Sequence, residues 1–171
     1  ADEEERLRNY VPLVDYRRID ERLQQLIQDE RMVGLAIGIV ENGQIRFLKG
    51  YGVTHEGGAP VTPSTIFRWA SLSKGVAADM VAKLAEENRL SLYDPISIYS
   101  FSLRLPAGTE HRATISDLLS HRLDLFSHAN DSKLEDGADA KMLGAELATL
   151  NAICPPASCH AYQNVAYDAA S

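Results

Sequence analysis

Phe67-Arg68-Trp69-Ala70-Ser71-Leu72-Ser73-Lys74 is the stretch on which the reading of this chain turns. It places a hydroxyl and a primary amine at i and i+3, so that on a helix Ser71 and Lys74 share one face. An alcohol attacks a carbonyl only once its proton is removed. A lysine whose ammonium is destabilised by burial or by nearby positive charge can act as that base, or hold another base in its working state. Thirteen serines and five lysines give about 0.4 such pairs by chance, so the pair takes its weight from its surroundings. A strand pattern and a glycine-rich loop lead into it. Beyond it, Val76, Ala77, Met80, Val81, Leu84 and Ala85 recur at helical spacing to near Asn88, which predicts a long helix buried on a broad face. Ser71 then lies at the positive end of that helix, where a developing oxyanion is stabilised. The other reading of the same residues is an N-capping serine and a solvated first-turn lysine.

Upstream, Ile19, Leu23, Leu26 and Ile27 predict a helix over residues 16–31, laid on a core by one face. Leu35–Val40 and Gln44–Lys49 flank Asn42-Gly43 and predict a hairpin, because both turn residues tolerate positive φ. The first strand is apolar almost throughout, which predicts a central position. Downstream, a short helix is expected over Ile115–His121 with Thr114 as N-cap, another from about Asp139 to Asn151, and a third starting near Asn164. No fixed-period repeat or linker divides the chain, so residues 1–171 read as one domain or part of one.

With 45% apolar and 24% charged residues over 171 positions, the composition is that of a folded globular protein rather than a disordered one. The net charge of −7, with Asp2, Glu3, Glu4 and Glu5 at the start, makes nucleic acid and anionic lipid poor partners. No stretch approaches the apolar length that spans a bilayer. A start at Ala1 followed at once by polar residues fits an exported protein after signal removal, hence a periplasmic or secreted location, and fits a trimmed chain equally. Cys154 and Cys159 lack the paired ligand spacing of a zinc site; they are expected either as a local disulfide, contributing about 2 kcal/mol by pinning its loop, or as two reduced thiols. His55, His111, His121, His128 and His160 show no metal-ligand spacing and read as loop or capping residues. No metal or other cofactor is implied.

A second chemical element follows the cysteine loop, at Tyr162-Gln163-Asn164. A phenol can shuttle a proton between nucleophile and leaving group if a nearby ammonium stabilises the phenolate, and an asparagine amide can donate to substrate while accepting from lysine. Alternatively Tyr162 packs on the core and Asn164 caps the last helix. Phe67–Lys74, Leu90–Pro95, Ile115–His121 and Ala161–Tyr167 occur in the order and spacing of the serine β-lactamase-like, penicillin-binding superfamily, which includes class C β-lactamases, D-alanyl-D-alanine carboxypeptidases and related esterases. The chain resembles that superfamily over nearly its whole length.

The resemblance implies an α+β fold of the β-lactamase/transpeptidase type: an antiparallel sheet flanked by helices plus an all-helical region. It implies that the chain is the N-terminal part of one such domain, with the N-terminal helix and hairpin strands in 1–70 and a mostly helical region in 71–171. It implies a serine hydrolase in which Ser71 forms the acyl-enzyme, Lys74 tunes proton transfer, Tyr162 acts as general base and then acid, and Asn164 holds the substrate. It further implies a substrate that is a β-lactam, a D-Ala-D-Ala or peptidoglycan-like peptide, or a small ester. Two features depart from the pattern. Arg122-Leu123-Asp124 replaces the glycine-containing turn that usually follows His121, and no Lys-Thr-Gly or His-x-Gly motif follows Tyr162. The alternative is therefore a non-catalytic fragment or binding module, active only if a second polypeptide carrying the C-terminal half completes the site.

Overall fold

The computed structural model describes residues 10–170, so the acidic start Asp2–Glu5 and the end of the predicted last helix at Ser171 lie outside the described residues. The contacts divide at Arg68/Trp69 into two compact units.

The first unit contains helix α1 (Tyr16–Leu26), capped by Asp15, whose carboxylate accepts from the Arg18 N–H at 3.0 Å. It stops five residues short of Arg31, where Asp29 takes both the Arg31 N–H and its guanidinium and so competes with helical backbone bonding. Strands β1 (Gly34–Glu41) and β2 (Gln44–Gly52) pair antiparallel through the expected turn, with Asn42 at φ 52° and Gly43 at φ 74°. The register pairs Leu35 with Tyr51 and Ile39 with Phe47, and an irregularity follows at Val40. Gly50 has a steric role: a Cβ there would lie 2.2 Å from the Val61 carbonyl oxygen, so only glycine lets the following loop close on the ribbon. The expectation of a central β1 is not met. Among the described residues the sheet has two strands, and Val40 and Ile45 stand exposed. A run of apolar residues reports burial on two faces, whereas here α1 covers one: Tyr16 stacks on Phe47 at 5.9 Å, and Asp20 accepts from Lys49 at 2.6 Å and from the Tyr51 hydroxyl.

The second unit opens with a 3₁₀ turn (Ala70–Leu72) that runs into α2 (Ser73–Glu86). Its core forms around Ile96, Leu103, Leu105, Leu118, Leu123, Leu125, Leu143, Leu147 and Val165. Helix α3 (Ile115–Leu119) carries a capping box in which Thr114 and Asp117 each bond the other's backbone N–H, as Thr114 led one to expect. Helix α4 (Asp131–Glu135) is one turn without amphipathic period and left no signal in the sequence. Helix α5 (Ala140–Glu146) starts on its Asp139 cap and ends in a 3₁₀ turn at Leu147–Thr149, a little short of Asn151. In place of a helix from Asn164 there is a bend and then a 3₁₀ turn, Tyr167–Ala170. The predicted broad burial of α2 is also corrected: none of its residues is buried, and Met80 is 65% exposed, because the core lies under the later segments.

The turn after His121 is built without glycine. His121 itself takes the left-handed conformation at φ 55°, and Leu123 and Leu125 enter the core. Asp124 between them is buried, its carboxylate accepting from the Thr109 hydroxyl at 2.8 Å. Cys154 and Cys159 form a disulfide, and the loop it closes is laced to this turn: Ile153 N–H bonds Asp124 O at 2.9 Å, Ala157 N–H bonds Arg122 O at 2.9 Å and Ala161 N–H bonds His121 O at 2.9 Å. His128 N–H then bonds Tyr162 O at 2.8 Å. This ladder fixes where Tyr162 leaves the loop.

Candidate active site

Ser71 lies in the 3₁₀ turn, directly after Ala70, which is held at φ 46°. A non-glycine residue in the left-handed region costs about 1–2 kcal/mol, and here the conformation delivers the Ser71 side chain at the start of α2. Lys74 is in the first turn of α2, and the i, i+3 spacing brings its Nζ to 3.1 Å from Ser71 Oγ. The same ammonium donates to Asn164 Oδ1 at 2.7 Å, across 90 residues of sequence. Tyr162 donates its hydroxyl to Ser71 Oγ at 2.7 Å. All four residues singled out in the sequence therefore meet at one point, and neither the N-cap reading of Ser71 nor the solvated reading of Lys74 describes them: no side-chain cap bond is made at either helical start.

Around this group stand residues that sequence spacing did not single out. Asn164 donates Nδ2 to Asp131 Oδ2 at 2.6 Å, and the same oxygen pairs with His128 Nδ1 at 2.7 Å. The His128 ring lies 5.4 Å from the Tyr162 ring, and the His121 ring lies 4.5 Å from it on another side. Tyr167 donates to the Lys74 carbonyl at 2.9 Å and anchors the first turn of α2. His121 closes one matched segment and Tyr167 another, so those two had a signal; Asp131 and His128 had none.

The Lys74 ammonium, followed by the Ser71 hydroxyl, holds the Tyr162 phenol below the ordinary tyrosine range, against an opposing effect of burial. His121 is lowered first by burial and then by the neighbouring His160 and Lys74, so it favours the neutral imidazole. Burial and the facing Tyr162 raise Tyr167. Two cavities open at Ser71. One, of about 330 Å³, is lined by Ser71, Lys74, Leu134, Asn164 and Asp168; the other, of about 590 Å³, by Trp69, Ser71, Lys74, His121 and Tyr162. Among the described residues no group of three or more His, Cys, Asp or Glu is placed to hold a metal ion.

The fold is that of β-lactamase/transpeptidase proteins. A penicillin-binding protein homologue from Pyrococcus abyssi superposes with a TM-score of 0.78 at 24% identity over 92% of this chain and 38% of its own. A class C β-lactamase does so with a TM-score of 0.70 at 24% identity over 94% of this chain and 46% of its own. In sequence, the profile of the Beta-lactamase family matches residues 19–171, and the chain belongs to that family. Esterase EstB of Burkholderia gladioli is 32% identical over 107 residues, 61% of this chain, and the aligned stretch spans 27% of that esterase. Hydrolases thus surround the chain in sequence, and penicillin-binding and β-lactamase proteins surround it in fold.

Proposed function

We propose that this chain carries the nucleophile of a serine hydrolase that works through an acyl-enzyme. The observation that supports this best is Ser71 Oγ held between Lys74 Nζ at 3.1 Å and Tyr162 Oη at 2.7 Å. With Tyr162 ionised beside the ammonium, Ser71 donates its proton to the phenolate as Oγ attacks the substrate carbonyl. The resulting oxyanion lies at the positive start of α2. Tyr162 then returns the proton to the departing oxygen or nitrogen, the carbonyl re-forms, and Ser71 is acylated. Water repeats the sequence in reverse order of protons and frees the acid. Asn164 holds Lys74 in place and offers its second amide hydrogen to substrate.

The substrates that suit this chemistry are small esters, β-lactams and D-alanyl peptides. The exposed apolar side chains of Leu72, in the 3₁₀ turn, and of Val76 and Met80 on α2 favour completion of the cavity by further polypeptide. The disulfide favours an exported protein in an oxidising compartment. The test is intact-mass spectrometry after incubation with a penicillin and with a fluorophosphonate. An adduct mapping to Ser71 and absent in Ser71→Ala is expected. Equal labelling of the alanine variant removes Ser71 from the mechanism.

A further inference from the structure

We propose that Asp131 is a positioning residue for this site, acting through Asn164 by deciding which end of its amide faces Lys74; the proposal rests on the acyl-transfer reading above. A lysine ammonium can only donate and a carboxylate can only accept, whereas an asparagine side chain has one end of each kind. Asn164 lies between the two, with Oδ1 2.7 Å from Lys74 Nζ and Nδ2 2.6 Å from Asp131 Oδ2. Only one of the two amide orientations satisfies both neighbours. Turned over, the amide would set NH₂ against the ammonium and C=O against the carboxylate. Asp131 thus selects the acceptor end for Lys74 and tethers the ammonium beside Ser71.

The same oxygen has a second tie. Asp131 Oδ2 takes the Nδ1 proton of His128 at 2.7 Å, and the His128 ring lies 5.4 Å from the Tyr162 ring. Asp131 is largely buried, with 13% of its side chain exposed, and it forms no hydrogen bond with Ser71 or Tyr162. It acts at a distance of one residue. Its charge nevertheless reaches Tyr162, where it opposes the phenolate that Lys74 favours. The groups facing Tyr162 are Ser71 and Lys74 from the start of α2, His121, His128 and Asp131 from the segment before and within α4, and Tyr167 from the last turn.

Removing Asp131 therefore has two effects that oppose each other at Tyr162: the lysine tether loosens, which withdraws the ammonium that favours the phenolate, and the negative charge that disfavours it is lost. The experiment is the acylation rate of the full-length protein with a fluorophosphonate across pH, for the wild type, Asp131→Ala and Asp131→Asn. Asp131→Ala is expected to lower the plateau rate by about 10²-fold. Asp131→Asn, which keeps an acceptor for Asn164, recovers part of it. In Asp131→Asn, which keeps the tether and removes only the charge, the acid limb moves to lower pH, and ultraviolet titration of Tyr162, referenced to Tyr162→Phe, shows the same shift without any acylating agent. A wild-type plateau in both variants, or an unmoved limb in Asp131→Asn, overturns the proposal. If the alanine variant does not fold, the asparagine variant decides. Labelling that persists in Ser71→Ala removes the acyl-transfer reading itself; a silent Ser71→Ala with wild-type behaviour at position 131 removes the positioning role alone.

Discussion

Ser71 is one of thirteen serines, and what marks it is the pair of donors on its Oγ, from Lys74 and Tyr162. If Tyr162 moves the proton, Tyr162→Phe lowers turnover by about 10²- to 10⁴-fold while thermal unfolding stays unchanged, since the ring and its packing remain. The rate should also rise through an acid limb below the ordinary phenol range, because the base is active when ionised and Lys74 favours that state. A pH–rate profile measures this, and a limb at the ordinary tyrosine position would show that Lys74 does not stabilise the phenolate. Backbone strain can be tested at the same scale. Ala70 at φ 46° tolerates no branching at Cβ, so Ala70→Val should destabilise the protein by about 2 kcal/mol in a denaturant titration and misdirect Ser71. Ser71, Lys74, Tyr162 and Asn164 were all legible beforehand, from residue types in a familiar order. Asp131 was not, because its link to Asn164 crosses 33 residues and neither position has a periodic pattern.

At the scale of elements, turn and cap chemistry was the most legible part. Asn42-Gly43 and the Thr114/Asp117 box behave as short-range chemistry requires, for their hydrogen bonds close within a few residues. Burial was read less well. The apolar run of β1 predicts a central strand and that of α2 a broad buried face, but a sequence reports only how much apolar surface an element has, not what lies against it. The α1–β2 brace gives a prediction of its own. Tyr51, buried and bonded to Asp20, is pushed up to about 12, while the Lys49 and Tyr51 bonds hold Asp20 below its usual range. The Tyr51 contribution is intact below the unfolded-state value of about 10 and is lost as pH rises through the folded value; the Asp20 contribution is lost as pH falls through its lowered value. Stability of this unit should therefore decline at both extremes, and Tyr51→Phe should remove the alkaline decline in pH-dependent melting. The disulfide loop is a further element-scale test: replacing Cys154 and Cys159 by serine should cost about 2 kcal/mol by thermal melting.

For the molecule as a whole, the α+β class came with the family resemblance, whereas the candidate residues and a hairpin followed by a mostly helical stretch were present in the linear chain itself. These are local properties: spacings of two to four residues, turn residues and caps, each decided by neighbours along the backbone. The tertiary structure decided which groups meet. It brought Lys74 to Asn164 across 90 residues and Tyr162 to Ser71 across 91, and it set His121, His128 and Asp131 around them. It also placed the core under Leu103, Leu125 and Leu147 rather than under α2. Such contacts depend on how loops close and on which apolar faces find one another, quantities that no local period encodes.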